Sequence, residues 1–143
     1  MNWGRVFLCG LVAGGVWTLL SVTLLALVGG DFVDAVPGGR LNVPSGGLQA
    51  FLLLSNFAAG IWAMWLYAAI RPRYGPGPKT ALVAGLAWWF IVSLQSGKWV
   101  ALLSVHPKAV LTLLATTLPA IIVSAVVGAW PYEERTKSSH ALN

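Results

Sequence analysis

Four stretches of the chain, Val6 to Val28, Leu48 to Ile70, Ala81 to Leu103 and Ala109 to Trp130, run almost without charge. The segments between them are rich in glycine, proline and charged residues. Each run reaches the roughly 20 apolar residues that a helix rising ~1.5 Å per residue needs to cross a hydrocarbon core about 30 Å thick. The pattern predicts an all-α membrane protein, with four transmembrane helices over 6–28, 48–70, 81–103 and 109–130 in an antiparallel up-down bundle. Residues 1–132 then form one transmembrane domain and 133–143 a polar tail. Between the first two runs, Gly29 to Gly47 holds too few apolar side chains to close a core of its own.

The connections are unlike one another. Gly29-Gly30 is expected to end the first helix, with Asp31, Asp34, Pro37, Gly38-Gly39, Pro44 and Gly46-Gly47 keeping the long first connection irregular. The second, Arg71 to Lys79, has three prolines and two glycines and reads as a stiff turn. The third, around His106-Pro107-Lys108, is short enough to make a tight helical hairpin.

Composition agrees with this picture: 57% of residues are hydrophobic, 9% charged, and the mean hydropathy is +0.77. The net charge of +5 would point to nucleic acid in a soluble protein. Here the cations lie between apolar spans, where they set orientation and meet anionic headgroups, so nucleic acid is discarded as a partner. Arg5, Arg71, Arg73, Lys79, Arg135 and Lys137 would share one face, against Arg40, Lys98 and Lys108 on the other. That excess predicts both termini in the cytoplasm, with the first span a retained signal anchor. Cys9 is the single cysteine and reads as a small packing residue.

A short internal similarity joins the two halves. Leu11-Val12-Ala13-Gly14 followed by Trp17 recurs as Leu82-Val83-Ala84-Gly85 followed by Trp88. Trp65-Leu66-Tyr67 and Trp130-Pro131-Tyr132 end the second and fourth runs alike. Two duplicated hairpins would produce this pattern; so would chance in a sequence this apolar.

Small residues four apart share a helix face and let backbones approach. Gly10 and Gly14, Ser55, Ala59 and Ala63, Ala81 and Gly85, and Thr112, Thr116, Ala120, Ser124 and Gly128 form such stripes, read as packing within the bundle or as a seam to another chain. Pro119 predicts a kink in the fourth helix, with Thr116 or Thr117 serving the freed carbonyls. Ser21, Asn56, Gln95 and Thr116 fall at matching depths in the outer half and form the candidate polar layer, either an interhelical hydrogen-bond layer or the lining of a ligand vestibule. No Asp, Glu, His, Lys or Arg lies near the centre of any span, which argues against a proton-driven pump. Asp31 and Asp34 read as a solvated pair, His106 as a lone imidazole, and no metal site is expected. Of eight tryptophans, Trp3, Trp65, Trp99 and Trp130 suit an interfacial belt. Trp17, Trp62, Trp88 and Trp89 fill the bundle, face lipid, or border a planar apolar ligand such as a quinone or pigment. No cofactor is otherwise predicted. Arg71, Arg73 and Lys79 are candidates for docking anionic lipid or an acidic partner.

The stretch from Trp65 through Arg71-Pro72-Arg73-Tyr74-Gly75-Pro76-Gly77-Pro78-Lys79-Thr80 to Ala81, with Ala84-Gly85-Leu86-Ala87-Trp88, resembles a family of small uncharacterised bacterial proteins with four transmembrane helices. The resemblance covers about a sixth of the chain. It implies a bacterial inner-membrane protein and carries over no functional residue. A non-enzymatic accessory or structural subunit, packing against other membrane chains or against itself, is the expectation. A small homo-oligomeric channel or carrier and a binder of an apolar ligand are its alternatives.

Overall fold

The computed structural model describes residues 2–34, 46–103 and 107–132; within the helices, the side chains of residues 28, 31–34, 97 and 99–103 lie outside the description. The readings placed on Arg40, His106, the 133–143 tail and the side chains of Asp31, Asp34 and Trp99 therefore lie outside the described residues. Among the described residues four helices make up the fold: α1 (Trp3–Asp34), α2 (Gly47–Tyr74), α3 (Pro78–Leu103) and α4 (Pro107–Ala129). They pack as two antiparallel pairs, α1 with α2 and α3 with α4, and α4 also lies along α1. The backbones of α2 and α4 approach across one diagonal, while those of α1 and α3 stand apart on the other.

Two helix ends differ from the sequence expectation. Helix α1 does not stop at Gly29-Gly30 but continues to Asp34. A glycine inside a helix costs only about 1 kcal/mol, less than leaving backbone polar groups unpaired beside hydrocarbon. Helix α2 likewise runs through Arg71, Pro72 and Arg73 to Tyr74, so the turn shrinks to Gly75-Pro76-Gly77 and Lys79 falls in the first turn of α3. Proline's fixed φ suits a helix, and Pro72 sits in the last turn, where one lost hydrogen bond does little harm. The Gly75 N–H then closes α2 on the Arg71 carbonyl at 2.8 Å. Gly75 and Gly77 take φ of 81° and 129°, values that require glycine. Pro78 occupies the first position of α3, where its missing N–H is not needed.

The close packing sits in the half of the molecule that holds the start of α1, the end of α2, the start of α3 and the end of α4, here called the terminal end. A Cβ on Gly14 would stand 2.7 Å from Phe57 Cα, and one on Gly60 would overlap the Gly10 carbonyl and the Gly14 backbone. Glycines on both helices let α1 and α2 touch main chain to main chain. Gly128 brings α4 onto α1 in the same way, since its Cβ would lie 2.6 Å from Ala13 Cβ and 3.1 Å from the Cys9 carbonyl. Val6, Cys9, Ala13, Ala63, Met64, Ala81, Ala84, Trp88, Ile121 and Ala125 fill what remains.

Toward the far end the side chains grow and α2 emerges from the packing, while Val110 in the first turn of α4 stays buried. From Leu48 to Ser55 every residue of α2 is exposed, whichever way it faces, and Leu19, Leu27, Phe51, Leu54 and Leu111 are exposed as well. In water such a continuous apolar surface would not persist; in a bilayer it is the ordinary outer face of a helix. Trp3–Leu27, Gly47–Tyr74 and Pro107–Ala129 each have the length and apolarity of a membrane span. The chain is a multi-pass helical membrane protein.

The glycine seam gives a direct test. Gly60→Val is expected to destabilise the protein in detergent by about 1–3 kcal/mol through overpacking. Gly15→Ala, whose Cβ would meet only Phe57 Cε1 at 3.8 Å, should stay within about 0.5 kcal/mol of the parent. Denaturant unfolding followed by circular dichroism distinguishes them, and equal losses would remove the seam's special role.

Candidate functional site

The polar and aromatic groups with the most developed geometry stand at the terminal end. Tyr67, near the end of α2, and Tyr132, just beyond α4, meet edge to face with ring centroids 5.6 Å apart and planes at 88°. Both are almost wholly buried. The Arg71 guanidinium lies 5.2 Å from the centre of the Tyr132 ring, within the range of a cation–π attraction worth about 0.5–2 kcal/mol. Arg71 reaches that ring because α2 stays helical past Pro72, bringing residue 71 one turn beyond Tyr67. From the first turn of α1, Arg5 donates to the Pro131 carbonyl at 3.4 Å. Two cations thus hold the Pro131-Tyr132 dipeptide against the bundle.

The short turn is pinned from both sides. The Gly77 N–H donates to the Tyr67 hydroxyl at 3.3 Å, and the buried Thr80 hydroxyl donates to the Gly75 carbonyl at 2.6 Å. Arg73 and Lys79 flank this turn on the last turn of α2 and the first of α3, both exposed. Trp3 and Trp130 also project at this end, 65% and 87% exposed, at the level indoles favour in an interface. The arrangement can present positive charge at headgroup depth from a frame with little freedom to lose.

The four residues of the candidate polar layer are not brought together. Ser21 donates to the Trp17 carbonyl of its own helix at 2.7 Å, and Thr116 to the Thr112 and Leu113 carbonyls at 2.9 and 3.1 Å. Gln95 accepts from Lys98 at 3.1 Å on the same helix. Among the described residues Asn56 alone of the four makes a bond between helices, donating to the Thr18 hydroxyl at 3.3 Å, while Thr18 donates to the Gly14 carbonyl at 2.8 Å. At the same general depth, Trp89 Nε1 ties α3 to the Leu114 carbonyl of α4 at 3.1 Å. Thr117 donates to that same carbonyl at 3.2 Å, so the threonines before Pro119 serve carbonyls 112 to 114 and not that of Ala115.

The packing residues separate by seam. Gly10, Gly14, Gly60 and the neighbouring Ala59 and Ala63 belong to α1 and α2; Gly85 meets Ala125 and Ile122 of α4; and Gly128, with buried Ala120 and Ser124, lies on α4. The Ser124 hydroxyl donates to the Ala120 carbonyl at 2.7 Å. Of the central tryptophans, Trp17 and Trp88 meet edge to face at 5.7 Å, and exposed Trp62 stacks at 4.7 Å on half-buried Trp65, which packs against the core. Sequence reasoning passed over Gly60, Thr18 and Thr80. Gly60 carried a signal, as the smallest residue beside an alanine stripe; Thr18 and Thr80 carried none, because their partners come from the tertiary fold.

The site belongs to a small helical membrane protein and gathers Arg5, Arg71, Arg73 and Lys79 at the terminal end, with Lys98 and Lys108 at the other. No protein-family model, curated protein or solved structure matches the chain.

The tyrosine pair makes a measurable claim. Tyr132→Ala is expected to lower stability by about 3 kcal/mol, whereas Tyr132→Phe keeps the ring contacts and most of that amount. Thr80→Val should cost about 1 kcal/mol through the loss of its bond to Gly75. Thermal unfolding in a mild detergent ranks the three.

Proposed function

We propose that the chain is a non-enzymatic accessory or structural subunit of a bacterial inner membrane, packing against other membrane chains or against further copies of itself. The observation that carries this reading is the division of the molecule into a closed half and an uncovered one. At the terminal end Ala13, Ala63, Met64, Ile121 and Ala125 fill the space between the helices. At the far end α2 keeps a surface from Leu48 to Ser55 that is exposed at every residue. Lipid meets some of that surface, and a neighbouring helix suits the small residue Ser55 and the ridge of Leu48, Phe51 and Leu52.

All four helices cross the membrane in this reading. Helix α3 is antiparallel to α4 and 26 residues long, about 39 Å at ~1.5 Å per residue, so it spans the same depth as its partner. The terminal end faces the cytoplasm, supported by its exposed Arg73 and Lys79 beside Trp3 and Trp130. Those two cations, together with Arg71, contact anionic headgroups and orient the subunit against its partner.

Two measurements test the proposal. Mild-detergent purification of the tagged protein from its native membrane should recover stoichiometric membrane partners; a pure homo-oligomer, paired with solute flux in liposomes that Asn56→Leu/Gln95→Leu abolishes, would replace the accessory role with a channel. Arg73→Gln/Lys79→Gln should weaken association with anionic lipid about 30-fold, on the basis of about 1 kcal/mol per charge. Lys98→Gln/Lys108→Gln, at the opposite end, is the control that should leave it unchanged, read by lipid adducts in native mass spectrometry.

A further inference from the structure

The short similarity between the two halves of the sequence extends through the structure. Adding 71 to a position in α1 gives its counterpart in α3, and adding 65 to a position in α2 gives its counterpart in α4. The difference of six residues between these shifts falls in the connections at the far end.

Contacts inside each hairpin follow that correspondence. A Cβ on Gly14 would meet Phe57 Cα at 2.7 Å and the Asn56 carbonyl at 3.0 Å. Gly85, its counterpart, would meet Ile122 Cα at 3.4 Å and the Ile121 carbonyl at 3.8 Å. Phe57 corresponds to Ile122 and Asn56 to Ile121, so both hairpins close in the same register. Burial follows it too: Cys9 with Thr80, Ala13 with Ala84, Gly60 with Ala125, Met64 with Ala129 and Tyr67 with Tyr132 are buried in pairs.

Counterparts also touch each other. Trp17 meets Trp88 at 5.7 Å between ring centroids, and Tyr67 meets Tyr132 at 5.6 Å. A residue contacts its own counterpart in an isologous assembly where it lies beside the two-fold axis. One pair bridges α1 to α3 and the other α2 to α4, as an axis running along the bundle requires. The symmetry is approximate: α4 lies more fully along α1 than α3 along α2, and the Asn56–Thr18 hydrogen bond has no copy because Ile121 and Trp89 stand at the corresponding places.

We infer that the buried face of each hairpin is one self-complementary interaction surface, and that the partner it fits is a second hairpin of the same pattern, supplied here by the same chain. The fold is an intramolecular homodimer. This rests on the membrane placement above, where the axis becomes the membrane normal and both hairpins insert with the same polarity, the geometry of parallel repeats. It does not rest on the accessory role, so a purification that recovers no partner leaves it intact.

The test uses the full-length chain with Cys9→Ala. Gly128 packs on Ala13, and the two-fold maps that contact onto Ala63 and Ala84. Ala63→Cys/Ala84→Cys is therefore expected to form a disulfide within one chain under mild oxidation, while Ala63→Cys/Val83→Cys, with Val83 40% exposed, remains reduced. Failure of the first pair, or equal oxidation of both, overturns the two-fold. A doubled chain, in which residues 3–74 are repeated after Gly75-Pro76-Gly77 in place of α3 and α4, addresses self-complementarity itself. It should purify as a monomer with the protease resistance of the parent; insertion followed by aggregation would overturn the inference.

Discussion

Main-chain contact between α1 and α2 is the constraint on which the rest of the structure depends. Gly10, Gly14 and Gly60 remove the side chains that would hold two helices apart, and the backbones meet where ordinary packing would leave a layer of side chains. In hydrocarbon there is no solvent-driven reason for helices to associate, so association relies on dispersion over short distances. That contact fixes how far Met64 reaches into the centre and how closely Gly128 can lay α4 on Ala13. It also places the end of α2 where Arg71 can lie over Tyr132. Among the described residues the far halves show no such glycine contact across a seam, and α2 is exposed there from Leu48 to Ser55.

The four helices were legible in the charge-free runs, because a membrane span is written in composition over about 20 residues. Their ends were less so. Glycine pairs and a proline are strong breakers in water, yet α1 passed through Gly29-Gly30, where a helical glycine costs little beside unpaired main chain, and α2 through Pro72, which sits in the last turn with a φ that suits a helix. The polar layer illustrates a different limit. Depth along each helix could be counted from the sequence, but rotation about its axis could not, and hydroxyls that share a depth turned back to their own carbonyls. Asn56 found Thr18 because the Gly14 contact brings that part of α2 against α1.

At the terminal end the same reasoning succeeds and fails residue by residue. The repeated Trp-x-Tyr endings were visible as text, but nothing local says that Tyr67 and Tyr132 touch. Arg71 looked like a loop cation and is a helical one, held over a ring. Arg73 and Lys79, three residues of turn apart from one another's helices, remain what their positions implied: exposed positive charge on a stiff frame. The prolines and glycines between them act less as a flexible loop than as a measured spacer, fixed by Tyr67 and Thr80.

Each hairpin begins and ends at the same end of the bundle. Joining two such units in tandem keeps both in one orientation with no extra helix between them, and three residues, Gly75-Pro76-Gly77, suffice for the join. An odd number of spans per unit would have turned the second copy upside down and destroyed the pairing of Trp17 with Trp88 and of Tyr67 with Tyr132. The shortness of that turn therefore keeps the two hairpins side by side. The second hairpin is tethered beside the first, at a high effective concentration that a separate chain would lack.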